Sequence, residues 1–442
     1  MTQTPGAPDS ALPGHIPGPG PATGSASTSV TTAELPALRR RVQAVLIATQ
    51  ILGGLGIAIG VALAAVLATE VGGTEALAGL ASTATVAGPA LLAMPLAALM
   101  ASRGRRAGLV LAYLLGAVGA GVVVLGAVVG SFALLLAGLV GFGAGSSANL
   151  AARFAAADLA EPDHRARAIS TVVWATTIGA VLGPNIAAPA GKSVAGLGVP
   201  ATAGPFVWAA GVFVVAAAVV ALLLRPDPLL TARALTDADP GGKEAVESRS
   251  LRAGMRAVRE SPRARLALVT VAGSHTAMVS IMSMTPVALT HHGADIELIG
   301  LVISGHIAGM YAFSPLMGRL SDRLGRLSVI GLAVGLIGAA ALVAGTAGPS
   351  HGRVALGLFV LGLGWSAGLV SGSALLTDSV PQAARAAAQG LSDFIMNTAA
   401  GVGGLVAGLI VSRAGYGPLN AIAACLLLPM AALALRGVLK KA

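Results

Sequence analysis

The stretch "MGRLSDRLGR", residues 317–326, places Arg319, Asp322, Arg323 and Arg326 within ten residues, between two long apolar runs. Charge is scarce elsewhere: 10% of the 442 residues are charged and 55% are hydrophobic, with a mean hydropathy of +0.84. A water-soluble domain carries roughly 25% charged residues, so no soluble core could hide this much apolar surface. The chain therefore reads as an all-α, polytopic membrane protein, and the decapeptide as a charged turn between two membrane helices. An earlier stretch, "LAALMASRGRR" (96–106), looks like the same turn without its acid.

A bilayer-crossing helix needs ~20 mainly apolar residues. On that scale twelve spans are expected, at about 43–68, 76–101, 107–129, 132–156, 166–190, 203–224, 265–290, 296–318, 327–347, 354–378, 386–412 and 417–436. Charge tests the tally. With the N-terminus inside, 25 of the 28 Lys and Arg fall on inside segments, and only Lys192, Arg353 and Arg413 do not. Arg153, Arg165 and Arg167 count here as the basic residues between spans 4 and 5. Basic residues near span ends favour the cytoplasm, so both termini are expected in the cytoplasm and the protein in the cell membrane.

The excess of positive charge, +10, is spread over all the inside loops and forms no aromatic-interleaved patch, which argues against nucleic acid as a partner. The 60 glycines and 3% aromatics suit closely packed membrane helices. Cys425 is alone, forms no intramolecular disulfide, and reads as a packing residue. The first residues are polar, rich in Pro, Gly, Ser and Thr, and read as a disordered tail without a signal peptide.

The longest polar break divides the spans six and six. This gives a tail at 1–38, a bundle at 39–225, a linker at 226–263, a second bundle at 264–437 and a tail at 438–442. "LRAGMRAVRESP" in the linker reads as a surface helix. The bundles repeat one another. "DLAEPDHR" puts Asp158 seven residues before Arg165, "DSVPQAAR" puts Asp378 seven before Arg385, and Pro95 and Pro315 share the same 220-residue offset. Such internal repeats typify secondary transporters, with the substrate between the halves.

At Gly318, Leu320, Asp322, Arg323, Gly325 and Arg326 the turn resembles the signature loop of the major facilitator superfamily, G-x-L-x-D-R-x-G-R. "GAVLGP", with Gly179, Gly183 and Pro184, resembles the fifth-span motif of its twelve-span drug:proton antiporters. The resemblance covers residues ~40–437. It implies two pseudo-symmetric six-helix bundles, alternating access, and spans 1, 4, 7 and 10 around a cavity. Gln50, Asn149, Met278, Met282, Met284 and Trp365 would line it, although a Met stripe also serves plain packing. Two departures stand out: Ala101 or Ser102 occupies the acid's place in the first-half turn, and Gly138 lies near the position of the family's fourth-span Arg.

Asp322 is expected near the start of span 11, around Ala386, where a helix N-terminus favours a carboxylate. Arg323 and Arg326 are expected to reach Asp378, and Arg103, Arg105 or Arg106 to reach Asp158. These contacts, with Arg385, would form a cytoplasmic latch favouring an outward-open state; the plainer alternative is a solvated loop. Pro184 after Gly183 is expected to loosen span 5.

Ionisable groups in hydrocarbon are candidates for function. Those found are His275, His306 and Asp393. His306, mid-span, is the first choice for a proton carrier, against a neutral ring bonded to a carbonyl. Asp393 reads as a proton site or a gate residue, and His275 as a weaker proton candidate. Neutral, lipophilic or weakly polar cargo fits the absence of acids central to the first six spans.

No phosphate loop, zinc spacing or hydrolase arrangement appears; "AGKS" (190–193) lacks the leading glycine of a nucleotide-binding loop, which would fall at Ile186. The expectation is a non-enzymatic, monomeric carrier needing neither cofactor nor metal, whose partners are a small-molecule substrate, protons and the lipid bilayer. Proton-coupled efflux is the first reading and proton-coupled uptake of a nutrient or metabolite the second.

Overall fold

The computed structural model describes residues 34–73, 78–237, 251–294 and 296–439. Nearly all of the expected N-terminal tail, the acidic linker piece at 238–250 and the last three residues lie outside this range. Among the described residues there are sixteen α-helices and no strand. Twelve stretches are long and apolar enough to cross a bilayer. Helices suit that setting because each satisfies its own backbone where no water can.

The first half contains α1 (Leu35–Gly72), α2 (Ala78–Arg103), α3 (Arg105–Val128), α4 (Phe132–Asp158), α5 (Arg165–Ser193) and α6 (Gly204–Leu223). Two short helices follow, α7 (Pro228–Asp237) and α8 (Leu251–Glu260). The second half contains α9 (Pro262–His291), then α10 (Ile296–Tyr311) and α11 (Ser314–Leu324), which together make the eighth span. It continues with α12 (Arg326–Gly345), α13 (His351–Ser379) and α14 (Arg385–Ala414). The twelfth span comprises α15 (Tyr416–Cys425) and α16 (Leu428–Leu439).

Each half builds its own apolar core. In the first, the Phe142 and Phe206 rings meet edge-on at 5.2 Å, with Phe213 against Phe142 at 5.7 Å. In the second, Ile337, Leu358, Leu361 and Val370 are fully buried. The outward faces stay apolar, as Val118, Leu222 and Leu405 show, each more than half exposed. That is the pattern of a body solvated by lipid rather than water.

Several local features differ from the sequence expectation. The eighth span is interrupted at 312–313, where Pro315 enters the first turn of α11; its missing N–H costs nothing there. The paired Pro95 instead sits inside the continuous α2. Helix α5 runs unbroken past residues 183–184, and Gly179 and Gly183 lie where α5 presses on α1: an added Cβ would meet Leu55 or Ala58. Cys425 is exposed on α15 rather than packed inside. Gly104 and Gly325 occupy equivalent turns at φ +87° and +88°, a region that favours glycine. Counting back three residues from each glycine makes Ala101, and not Ser102, the counterpart of Asp322.

Candidate functional site

The two halves meet through charge at one end, where α2 turns into α3, α4 into α5, α11 into α12 and α13 into α14. Asp322, ending α11, accepts hydrogen bonds from the backbone N–H groups of Ala166 at 3.2 Å and Arg167 at 2.9 Å. These are orphan donors of the first turn of α5, in the other half. The expected partner was the start of α14; the carboxylate serves the pseudo-equivalent start of α5 instead. Arg326 holds Asp322 from its own half at 2.5 Å.

Asp378 links the halves. It takes Arg165 of the first half at 2.5 Å and Arg326 of the second at 3.1 Å. Arg326 also donates to the Pro162 carbonyl at 2.7 Å, reaching back across the seam. On the opposite side, Arg105 pairs with Asp158 through two bonds of 2.7 and 3.1 Å and donates to Gln389 on α14. Arg103 and Arg323 are exposed, and Arg106 engages through its backbone N–H, which donates to Asp227 at 2.7 Å. Arg385 is buried at the start of α14. Gly318 brings α11 against Ser170 on α5, and Gly390 brings α14 against Ala97 on α2.

A second layer lies deeper. Arg153, five residues before the end of α4, is 1% exposed. It donates to Asp393 on α14 at 2.5 Å and to the Ser373 hydroxyl on α13 at 3.2 Å. Arg153 and Ser373 are 220 residues apart, the offset of the repeat, so equivalent positions of the two halves touch here. At 1.5 Å rise per residue this layer lies roughly 8–12 Å inside the charged end. Arg153, which falls within the expected fourth span at 132–156 and counts among the inside cations, is a buried helix residue. Its signal was the apolar run "AARFAAAD" around it, which marks it as part of the helix.

Further along the interior, the Trp365 indole N–H donates to His275 Nδ1 at 2.8 Å. Tyr311 packs edge-on against Trp365 at 5.5 Å. This cluster draws on α9, α10 and α13. Met278 is buried in the second core, while Met282 and Met284 are half-buried. In the first half Gln50 donates to Thr176 at 2.8 Å, and the single Tyr113 hydroxyl proton is shared between Asn149 Oδ1 at 3.0 Å and the Thr49 carbonyl at 2.9 Å. His306 is fully buried, with Nδ1 2.7 Å from the Leu358 carbonyl. The structure thus brings His275 and Trp365 together, joins Asp393 to Arg153, and leaves His306 inside the second core. Among the described residues, no cluster of His, Cys, Asp and Glu is suited to a metal.

Two repeated helical bundles, meeting around a polar interior and tied at one end by ion pairs, define a two-bundle membrane transporter. The chain belongs to the Major Facilitator Superfamily, whose model matches residues 45–296 and 267–441. It is 38% identical to the uncharacterized MFS-type transporter YdeG of Bacillus subtilis, over 87% of this chain and 89% of that one. It is 29% identical to the riboflavin transporter RfnT of Brucella anthropi, over 87% and 92% of the two chains. Its fold matches the transporter FucP in the outward conformation with a TM-score of 0.68 at 17% identity, covering 89% of this chain and 98% of that one.

Proposed function

We propose that the protein is a secondary active transporter of the cell membrane that works by alternating access and exports small lipophilic or weakly polar compounds in exchange for protons, as drug:proton antiporters do. One observation carries this reading: Asp322 and Asp378 of one half hold the N-terminal turn and Arg165 of α5 in the other. No chain connection forces those groups together, so parting the halves breaks them and rejoining restores them. Placing this end in the cytoplasm follows from its concentration of Arg and Lys, and makes the conformation outward-facing. The bundles would be 39–225 and 264–437, acting as a monomer.

The cargo reading rests on the interior. Its central groups are amides, hydroxyls, a Trp, a Tyr and a His, and the opposite charges of Arg153 and Asp393 neutralise each other. Trp365 beside His275 and Tyr311 offers a face for a flat ring. Riboflavin, the cargo named for one relative, is an uncharged heteroaromatic of that kind. The Gly179, Gly183 and Pro184 motif favours export.

The test is flux in proteoliposomes under an imposed pH gradient, with riboflavin and a panel of neutral dyes as probes. Cargo driven opposite to the protons supports export by exchange. Cargo moving with the protons replaces export by uptake, and flux indifferent to the gradient removes proton coupling.

A further inference from the structure

The rim pair Arg165–Asp378, which crosses between the halves, is partly exposed, with side chains 13% and 26% exposed, and the buried rim pair Arg105–Asp158 lies within the first half. The pair Arg153–Asp393 is both buried and crossing: its side chains are 2% and 11% exposed, and it joins α4 of one half to α14 of the other. Arg153 is also held by Ser373 on α13, and its guanidinium carbon sits 4.5 Å over the Phe154 ring. Arginine keeps its charge under all working conditions. The member of the pair that can change charge is the carboxylate, which is also the more exposed of the two.

Beside Asp393 lies a cavity of about 20 Å³, lined also by Arg105, Gln389 and Ser147. One water needs ~10–15 Å³ of such space and two to four polar partners. The cavity therefore has room for a water between Asp393 and the rim pair Arg105–Asp158.

We infer that Asp393 is the group that takes up the transported proton and that Arg153 is its counter-ion only while the charged end is closed, so that neutralising Asp393 and parting the halves are one event. The inference rests on alternating access and on proton coupling, but not on the direction of cargo. A proton binds the Asp393 carboxylate, the ion pair with Arg153 ends, and α14 is free to leave α4. When the proton departs, the carboxylate again demands a cation, and the nearest one lies across the seam. A buried charge without its partner is costly, which couples the two steps tightly.

The surroundings leave Asp393 the best placed group. Facing it are Arg153 of α4 and Arg105 of α3, both permanently cationic. Helix α2 lines its cavity with apolar residues, and α13 adds the Ser373 hydroxyl through Arg153. Helix α9 brings His275, whose Nδ1 already accepts from Trp365, and α15 brings Tyr416, bonded to Thr285. Helix α8 packs at the start of α14 through Gly254 on Ala387, and its Arg252, Arg256, Arg259 and Glu260 are exposed. On α14 itself, Arg385 lies two turns nearer the rim. His306 is held within the second half by Leu358 and touches no part of this seam in the hydrogen bonds it makes.

The experiment measures the distance across the charged end by double electron–electron resonance. Spin labels are placed at Ser102→Cys and Leu324→Cys, both exposed, in full-length protein bearing Cys425→Ala in lipid nanodiscs. Lowering the pH from ~8 to ~5 should move wild-type protein from short to long distances. Asp393→Asn should raise the open fraction about tenfold or more and abolish the pH response. Arg153→Lys, which keeps the charge but not the two-armed grip on Asp393 and Ser373, should shift the midpoint of opening to higher pH, because the closed end is held less firmly. That variant decides the matter even where Asp393→Asn fails to fold.

A wild-type pH response in Asp393→Asn, or an unshifted midpoint in Arg153→Lys, overturns the inference. So does a response lost in His275→Gln and kept in Asp393→Asn. A wild-type protein whose distances answer to riboflavin but not to pH would instead bring down proton coupling, and one with a single distance under all these conditions would bring down alternating access itself.

Discussion

The turn at Gly325 and the turn at Gly104 share a backbone and differ in what they hold. Both glycines adopt the same left-handed conformation, and both are followed by an arginine bonded to the acid that closes the neighbouring pair of spans: Arg326 to Asp378 and Arg105 to Asp158. Three residues back they diverge. Asp322 reaches across to the start of α5, whereas Ala101 offers no carboxylate to the start of α14. In its place the Ala101 carbonyl accepts from Arg233 of α7 at 2.7 Å, a contact within the first half and its linker. The α5–α11 seam is thus held by charge, and the α2–α14 seam mainly by close packing of Gly390 on Ala97, with Arg105–Gln389 added. Duplicated halves need not be joined alike: charge holds one seam, and close packing holds most of the other.

Removing the distinguishing acid should have the largest effect. Asp322→Asn keeps the shape but loses the charge that complements the α5 N-terminus and Arg326. Hydrogen bonds to charged groups contribute ~1.5–3 kcal/mol and the helix terminus ~0.3–1 kcal/mol. A drop in transport rate of about ten- to a hundredfold is expected, with normal membrane insertion, read as flux in proteoliposomes at matched protein content. Full activity would leave the acid with no closing role.

Asp378→Asn should come next. It deprives both Arg165 and Arg326 of a partner, but its side chain is 26% exposed, so solvent screens part of the gain. A reduction of about three- to tenfold is expected. A larger loss than for Asp322→Asn would reverse the ranking and place the latch on Asp378.

The converse change sharpens the asymmetry. Ala101→Asp supplies the missing acid opposite the start of α14, beside Arg233. Turnover should fall about two- to fivefold, since an over-stabilised closed end slows reopening. The short-distance population between Ser102 and Leu324 labels should grow at the same time. Slower turnover without that growth would mean that the new carboxylate disturbs α7 rather than closing the seam.

Much of this was readable before any coordinates. Twelve spans follow from stretches of ~20 apolar residues and from where Arg and Lys fall, and the Asp158–Arg165 and Asp378–Arg385 spacings disclose the duplication. The partner of Asp322 was not readable, because a repeat makes two helix starts, at Arg165 and at Arg385, chemically alike. Only packing says that α11 lies against α5. Arg153 was hidden for a different reason. A cation five residues from a helix end looks like an interfacial residue, and its burial depends on Asp393 arriving from a helix 240 positions away. The cluster of His275, Tyr311 and Trp365 likewise joins three helices whose mutual rotation no single-chain pattern encodes.

The smallest effect should come from Asp227→Asn, and the reason tests the whole comparison. Asp227 accepts from the N–H groups of Arg106 at 2.7 Å, Leu229 at 3.0 Å and Leu230 at 3.2 Å. It therefore caps both α3 and α7, with a wealth of contacts rivalling that of Asp322. All three donors belong to the first half and its linker, however, so none of these bonds crosses between the halves. A cap of this kind stabilises the fold by ~0.5–2 kcal/mol. Its loss should lower the melting temperature by ~2–4 °C while flux changes less than ~2-fold. Asp322→Asn should show the opposite signature, with flux falling far more than thermal stability. If Asp227→Asn instead cuts flux as deeply as Asp322→Asn, contacts across the seam are not what sets the rate, and the distinction between latch and cap dissolves.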